Sequence, residues 1–481
     1  MILKTLMIDR VELEKLKKVL KKYGQSSLLA FWDRLNSAQQ QRLFDQLSRL
    51  DFAQLDRWRN DFVLNNTPFK LPVNIAPAPS YAPKPENETQ RLKYDQARQL
   101  GEKLISRGKV AAFIVAGGQG TRLGFDGPKG DFPISPVKNK TLFGIFAEIL
   151  AALFQKYNAL CPWYIMTSPL NHQQTLDIFS ANGYYGLDKQ NIFIFQQGTL
   201  PNFSIDGKIL LSDIDTVASS PDGHGGSLLA LYKSGALADM KKRGVEFISY
   251  FQIDNPLVSV LDPLFIGLHA LDGAEMSSKA VTKTGPLEKV GNFCLADGKV
   301  TVIEYSDLPC ELAQKRNPDG SLVFNLGSIA IHIISVSFVE RLNKEGLSLP
   351  LHRAVKKIPH IDDQGNHVNP TTPSGIKLET FIFDALPLAK KSIILQTIRS
   401  EEFAPTKNAA GSDSVETTKQ MMIARAADWL VSAGVKIPRK ADGTPDCVIE
   451  IAPSFALTKD DIAAKQDKIP PIKPGQSVFI A

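Results

Sequence analysis

The stretch that most constrains this chain is the apolar run Val110 to Ala116, which stops on Gly117-Gly118-Gln119-Gly120-Thr121-Arg122-Leu123-Gly124 and then Pro128-Lys129-Gly130. A short apolar run that ends in glycines reads as a buried parallel strand opening into a loop. Glycines there permit unusual backbone angles and let amide N–H groups approach phosphate oxygens with no side chain between. Arg122 and Lys129 place two positive charges beside the same loop. Arginine grips phosphate through two parallel hydrogen bonds, and lysine adds a compact point charge. Gly117, Gly118, Gly120, Thr121, Arg122 and Lys129 together form a triphosphate cradle. The bland alternative is a tight turn flanked by two surface cations.

Two other phosphate loops fit worse. A Walker A loop needs Ser or Thr after its lysine, and Lys129 is followed by Gly130-Asp131. Gly118, Gly120 and Gly124 give G-x-G-x-x-x-G where the dinucleotide fingerprint needs G-x-G-x-x-G. The acidic ribose ligand expected about 20 residues on is replaced by Lys138-Asn139-Lys140.

Around this loop the texture is alternating strand and helix. Strands are expected at Trp163 to Thr167, near Ile192 to Phe195 and at Phe247 to Ile253. A helix capped by Thr141 follows the loop, with Leu142, Phe143, Phe146, Ile149, Leu150, Leu153 and Phe154 on its apolar face. The pattern predicts an α/β domain around a mostly parallel sheet, which binds ligands at the carboxyl ends of its strands. Before it, Leu13, Leu16 and Leu20 mark one helix, and a second amphipathic pattern runs from Phe31 to Leu50. Pro68, Pro72, Pro77, Pro79, Pro83 and Pro85 make an extended connector. A last helix, near Thr417 to Ala433, opens a small C-terminal domain. The expected division is 1–94 for helices and connector, 95–390 for the catalytic domain and 391–481 for the C-terminal domain.

With 481 residues the chain exceeds the usual limit of one core. Its net charge of +6 is a small excess that suits an anionic substrate. Lys15, Lys17, Lys18, Lys21 and Lys22 sit on the first helix, where a solvated face is favoured over nucleic-acid binding. Cys161, Cys294, Cys310 and Cys447 are far apart and form no CxxC pair, which argues against a disulfide framework and for a reducing cytoplasm. No run of 18 or more apolar residues is present, and the N-terminal apolar run is too short for a secretory signal.

The glycine run resembles the signature of sugar nucleotidyltransferases, in the wording of the eukaryotic-type UDP-N-acetylhexosamine pyrophosphorylases. The resemblance continues through Trp163 to Ser168, Phe195 to Gly198, Asp206 to Ile209, Pro221 to Gly223, Glu304 to Ser306, Phe324-Asn325, Gly375 to Lys377, Phe381 to Asp384 and Lys407-Asn408. It covers roughly residues 95 to 410. It implies a Rossmann-like fold of nucleotidyltransferase type A that joins UTP to a sugar-1-phosphate and releases pyrophosphate.

Other site residues are read locally and through this resemblance. Asp254-Asn255 closes the run Phe247 to Ile253, where a carboxylate could hold Mg²⁺ or simply cap a turn. The resemblance makes Asp254 the metal ligand. A loop glutamine such as Gln196 is ordinarily a solvated polar residue; the resemblance implies that it reads uracil. Gly223 would let the backbone close over the nucleoside. Phe381 and Phe383 are two apart, so on a strand both rings would face the same way, and core packing is the usual fate of such a pair; the resemblance instead makes them a wall for an N-acetyl group. Gly291, Glu304, Asn325 and Lys377 match sugar- or phosphate-facing positions, and Lys407 matches a lysine that meets phosphate.

Two positions depart from the animal and fungal pattern: His224 stands where asparagine is usual, and Ser328 replaces the second asparagine of Phe324-Asn325-Leu326-Gly327-Ser328. Both face the expected sugar. N-acetylglucosamine-1-phosphate is the expected acceptor and N-acetylgalactosamine-1-phosphate a further one. Glucose-1-phosphate or a broad sugar range is the alternative within the class. A non-catalytic nucleotide-sugar-binding protein is the alternative outside it. Expected partners are UTP and the sugar phosphate, with Mg²⁺ as cofactor, no nucleic acid or membrane, and a monomer or weak homo-oligomer.

Overall fold

The N-terminal helices find their packing partners far along the chain. The computed structural model describes residues 8–65 and 70–481, so Pro68 of the expected connector lies outside the described residues. The chain forms two compact units. The first combines the N-terminal region with Gly198–Gly226 and Ser348–Phe381. Helix α1 (Arg10–Lys22) starts where the Asp9 side chain accepts from the Val11 amide, and it buries Leu16 and Leu20. Its lysines face outward, and Lys15 and Lys17 pair with Glu12 and Glu14 at 2.6 and 2.9 Å. Helix α2 (Ser37–Ser48) opens on a reciprocal Asn36–Gln39 cap and buries Leu43 and Leu47. Helix α3 (Phe52–Trp58) follows. These apolar faces join Phe203, Ile209, Leu211, Val217, Ile361, Ile376 and Leu378 in one core. Burial of that kind is what stabilises helices this short.

The second unit holds Leu71–Gln197, Ser227–Leu347 and Ile382–Ala481. Its centre is a ten-stranded sheet, whose strands are β1 (Ile75–Pro77), β2 (Val110–Val115), β3 (Trp163–Thr167), β4 (Ile192–Gln196), β5 (Phe247–Gln252), β6 (Met276–Thr282), β7 (Asn292–Ala296), β8 (Lys299–Ile303), β9 (Leu326–Ser335) and β10 (Ser392–Gln396). The main path runs β1-β7-β9-β5-β2-β3-β4, with β6 between β9 and β10, and β8 on β7. Strands β5, β2, β3 and β4 are mutually parallel. Strand β9 is antiparallel to β5, β6 and β7, so β6, β7 and, through its parallel pairing, β10 run with β2. Only β1, β8 and β9 run the other way, and the sheet is mostly parallel, as the alternation of strand and helix implied. Pro77 sits on the edge strand β1, where a missing N–H costs no ladder bond.

Helix α4 (Glu88–Ser106) packs on α6 (Pro263–Leu271), and α5 (Leu142–Tyr157) lies between them in sequence. The Thr141 hydroxyl accepts from the Gly144 amide at 3.1 Å, the expected cap. Phe143, Phe146, Leu150 and Leu153 are buried, whereas Phe154, expected on the same face, is 45% exposed. Helix α7 (Val415–Ser432) leads into a C-terminal segment with its own apolar cluster of Leu430, Ile449, Phe455, Ile462 and Val478. The two units are thus interleaved in sequence, whereas the sequence reading cut the chain into three consecutive pieces. Hydrophobic periodicity marks which face is buried but carries no address for the surface that buries it.

Candidate functional site

Four loops meet at one end of the parallel strands. Register pairs Gln252 with Val115, Val115 with Met166, and Thr167 with Gln196. The carboxyl ends of β5, β2, β3 and β4 are therefore level. From them emerge Asp254, the glycine loop, Ser168 and Gln197 in turn.

The glycine loop is held from below. The Ala116 amide donates to Met166 O at 2.7 Å. The loop then folds on itself: Gly120 N donates to Gly127 O at 2.8 Å and Lys129 N to Gly118 O at 3.0 Å. Fully buried Asn171 braces it. The Asn171 side-chain nitrogen donates to Ala116 O and Gly118 O at 2.9 and 3.3 Å, while its oxygen accepts from the Ser168 amide and hydroxyl at 2.9 and 3.1 Å. A Cβ on Gly117 would lie 2.5 Å from Gln197 Oε1, so a side chain there would have to displace the Gln197 amide. A Cβ on Gly118 would meet nothing nearer than Lys129 Cε at 3.9 Å. Gly118 is exposed and its glycine is not required by the protein's own atoms.

Lys129 is 6% exposed, and its ammonium lies 3.6 Å from Asp254 Oδ2. The segment carrying Lys407 is stitched to Asp254 and to the glycine loop. Thr406 N donates to Asp254 O at 2.8 Å, and Ala409 N donates to Arg122 O at 3.0 Å. The Lys407 ammonium is 3.9 Å from Asp413 Oδ2. The Asn255 side chain spans Glu402 O at 2.7 Å and the Ala404 amide at 3.0 Å, which holds the same segment. Arg122, Lys129, Asp254 and Lys407 are thus brought to one place, and the Arg122 and Thr121 side chains are exposed.

Gln196 and Gln197 part company. Gln196 is exposed at the end of β4, and Gln197, which the sequence reading passed over, is buried against Gly117. Gly291, Glu304 and Ser328 gather elsewhere in the second unit. Ser328 N donates to Gly291 O at 2.8 Å, and a Cβ on Gly291 would lie 3.5 Å from Glu304 Oε1. The Asn325 carbonyl accepts from Lys283 N at 2.8 Å, and the Lys283 ammonium donates to Asn292 Oδ1 at 2.5 Å. Burial lowers the Lys283 pKa, with Glu288 opposing.

In the first unit, Gly223, His224, Lys377 and Phe381 lie close in the fold. Gly223 has φ +87°, and a Cβ there would sit 2.2 Å from Thr380 O. The Lys377 ammonium lies 3.2 Å from Glu379 Oε1. No strand runs through Phe381 and Phe383. The strand Gly375–Glu379 ends where Thr380 turns its amide and hydroxyl to Asp222 O, at 2.8 and 2.9 Å. Residues Ile382–Leu388 then form a 3₁₀ helix that buries Phe383. A spacing of two no longer puts the two rings on one face.

Three signals were available but unused. Thr167-Ser168-Pro169-Leu170-Asn171 ends a strand and opens a helix, the place for an Asn that bonds local backbone. Gln197 is the neighbour of the glutamine that was chosen. Lys283 sits just past a buried strand. Among the described residues no helix is long and apolar enough to cross a membrane, and no group of three or more His, Cys, Asp or Glu could hold a metal. The four cysteines are unpaired.

Residues 77–480 match the family described as UTP--glucose-1-phosphate uridylyltransferase. The chain is 36% identical over 473 residues to the human UDP-N-acetylhexosamine pyrophosphorylase-like protein 1, covering 92% of each. It is 35% identical over 466 residues to the UDP-N-acetylglucosamine pyrophosphorylase of Saccharomyces cerevisiae, covering 93% of this chain and 96% of that one. The crystal structure of the Trypanosoma brucei UDP-N-acetylglucosamine pyrophosphorylase superposes with a TM-score of 0.81 at 26% identity, covering 98% of both chains. The chain belongs to the UTP--glucose-1-phosphate uridylyltransferase family of nucleotidyltransferases, among its UDP-N-acetylhexosamine pyrophosphorylases.

Proposed function

We propose that this chain joins UTP to N-acetylglucosamine-1-phosphate, with N-acetylgalactosamine-1-phosphate as a second acceptor, in the cytoplasm. A phosphate oxygen of the sugar-1-phosphate attacks the α-phosphorus of UTP. The bond to the β-phosphate oxygen breaks, and pyrophosphate leaves. No covalent enzyme intermediate is needed, so positioning and charge neutralisation carry the rate.

The observation that supports this best is the Lys129–Asp254 pair, 3.6 Å apart, facing the glycine loop at the level ends of the parallel strands. Amides of Gly118 and its neighbours would meet the triphosphate, Arg122 and Lys129 would offset charge growing on the leaving diphosphate, and Lys407 would hold the incoming phosphate. Asp254 suits Mg²⁺: one carboxylate beside a phosphate cradle is how that ion is ordinarily held, with substrate oxygens and water completing its shell. The side chain of Asn255 is engaged with backbone and is not a ligand. When bound, the ion would add Lewis-acid neutralisation of the phosphates. Gln196 and Gly223 would address the nucleoside, with Gly291, Glu304, Asn325, Ser328, His224, Lys377, Phe381 and Phe383 on the sugar side.

The test measures pyrophosphate release from UTP with N-acetylglucosamine-1-phosphate, N-acetylgalactosamine-1-phosphate and glucose-1-phosphate. The expected order of kcat/KM is the order given. Glucose-1-phosphate as the best substrate would overturn the sugar assignment, and UTP binding without pyrophosphate release would overturn the reaction.

A further inference from the structure

The turn that carries His224 is fastened to the segment that carries Phe381. Gly225 N donates to Thr380 O at 2.9 Å, and Thr380 returns two hydrogen bonds to Asp222 O. A third element joins them. The strand His352–Lys356 pairs antiparallel with Gly375–Glu379, with His352 opposite Glu379, two residues short of Phe381. Both imidazoles stack on the Phe381 ring. His224 lies 5.1 Å from it, centroid to centroid, at 18°, and His352 lies 4.2 Å from it at 26°.

The stack has a chemical consequence. Burial, with His352 adding its repulsion, pushes the His224 imidazole down to about 4, so it is neutral near pH 7. A neutral imidazole offers one donor and one acceptor, as the amide of asparagine also does. A protonated ring could only donate. Phe381 follows the end of its strand and is partly buried. The two flat rings stacked on it restrain its orientation.

We infer that His352 is a positioning residue for the Phe381 ring and that the His224–Phe381–His352 stack sets which sugar-1-phosphate is accepted. The inference rests on the sugar-facing reading of Phe381 proposed above. Loss of one stacked ring contact changes an equilibrium by about 2- to 10-fold, which is the scale expected for selectivity.

The experiment compares kcat/KM for N-acetylglucosamine-1-phosphate and glucose-1-phosphate, and KM for UTP, in the wild-type chain, His352→Ala and His352→Phe. His352→Ala is expected to lower the ratio of the two sugar values about 2- to 10-fold, with KM for UTP unchanged. His352→Phe keeps a flat ring at that position and is expected to restore most of the ratio. A merely structural role would depress both sugars alike and would not be rescued in the ratio. An unchanged ratio in His352→Ala, or an equal loss for both sugars, overturns the inference while the proposed reaction stands. A wild-type chain that releases no pyrophosphate with any sugar overturns the proposed reaction and this inference with it.

Discussion

Asn171 offers the sharpest test of how the glycine loop is built. Its side chain makes two donations, to Ala116 O and Gly118 O, and takes two, from Ser168 N and Oγ, all in a fully buried setting. Asn171→Ala leaves the Ser168 amide and the Ala116 carbonyl without these partners. A buried polar group that loses its partner costs about 1–3 kcal/mol, so two of them put the loss at about 2–3 kcal/mol once some relaxation is allowed. A chain of two compact units has no single well-defined unfolding free energy, so the assay must be local. The amides of Gly120 and Lys129 close the loop, and their hydrogen exchange reports its opening. A loss of that size speeds exchange roughly 30- to 150-fold, and KM for UTP should rise with it. Asn171→Asp keeps the acceptor for Ser168 but turns carboxylate oxygen toward two carbonyls, so it should open the loop at least as much. Exchange within about threefold of wild type in Asn171→Ala, with KM for UTP unaltered, would refute the reasoning.

Two further outcomes follow from named groups. Lys129→Ala and Asp254→Ala should each lower turnover by about 10²- to 10³-fold while melting near the wild-type temperature, and near-normal turnover in either purified variant removes that residue from the chemistry. His269 is fully buried, with Nδ1 2.7 Å from Ser277 Oγ and Nε2 3.0 Å from Ser335 Oγ. Ser335 Oγ also donates to Ala274 O at 3.1 Å, so Nε2 is the donor and Nδ1 the acceptor of a neutral ring. Burial pushes its pKa down to about 3. The unfolded chain therefore binds more protons as pH falls from about 6.5 toward that value, and the folded state loses about 2 kcal/mol from this group by pH 5. His269→Gln keeps a donor and an acceptor, and its melting temperature should fall less steeply between pH 6.5 and 5. Parallel curves would show that His269 does not titrate in that window.

The legible part of this fold is the part written locally. Val110 to Val115, Trp163 to Thr167 and Phe247 to Gln252 are nearly continuous apolar runs with polar or glycine ends, and each is a strand of the central sheet. Strand direction followed from the helices between them, and with it the end of the sheet where Asp254, Arg122 and Lys129 meet. What escaped was non-local. Nothing in Leu16 or Leu20 announces that Phe203 and Ile376 will cover them. Nor does the text around Phe381 show that Thr380 will turn away to Asp222 and end the strand. A period of two is a strand signal only while the ladder continues, and the ladder stops for reasons held more than a hundred residues away.

The glycine loop shows how one pattern can conceal two causes. The sequence reading treated its glycines alike, as backbone freed to approach phosphate. In the structure a Cβ on Gly117 would press on the Gln197 side chain, and Gly124 takes φ +71°. Neither constraint involves a ligand. Gly118 has neither a crowded Cβ position nor a positive φ, and it alone of the three leaves open space beside the Lys129 stem. The loop is thus a rigid frame with one open window. The frame is set by packing and by Asn171, and the window lies beside the Lys129 stem, whose ammonium is 3.6 Å from Asp254 Oδ2. That arrangement would put the amides proposed to meet the triphosphate and the charges that flank them in fixed relation before any substrate arrives, which is the condition under which electrostatic stabilisation costs no reorganisation.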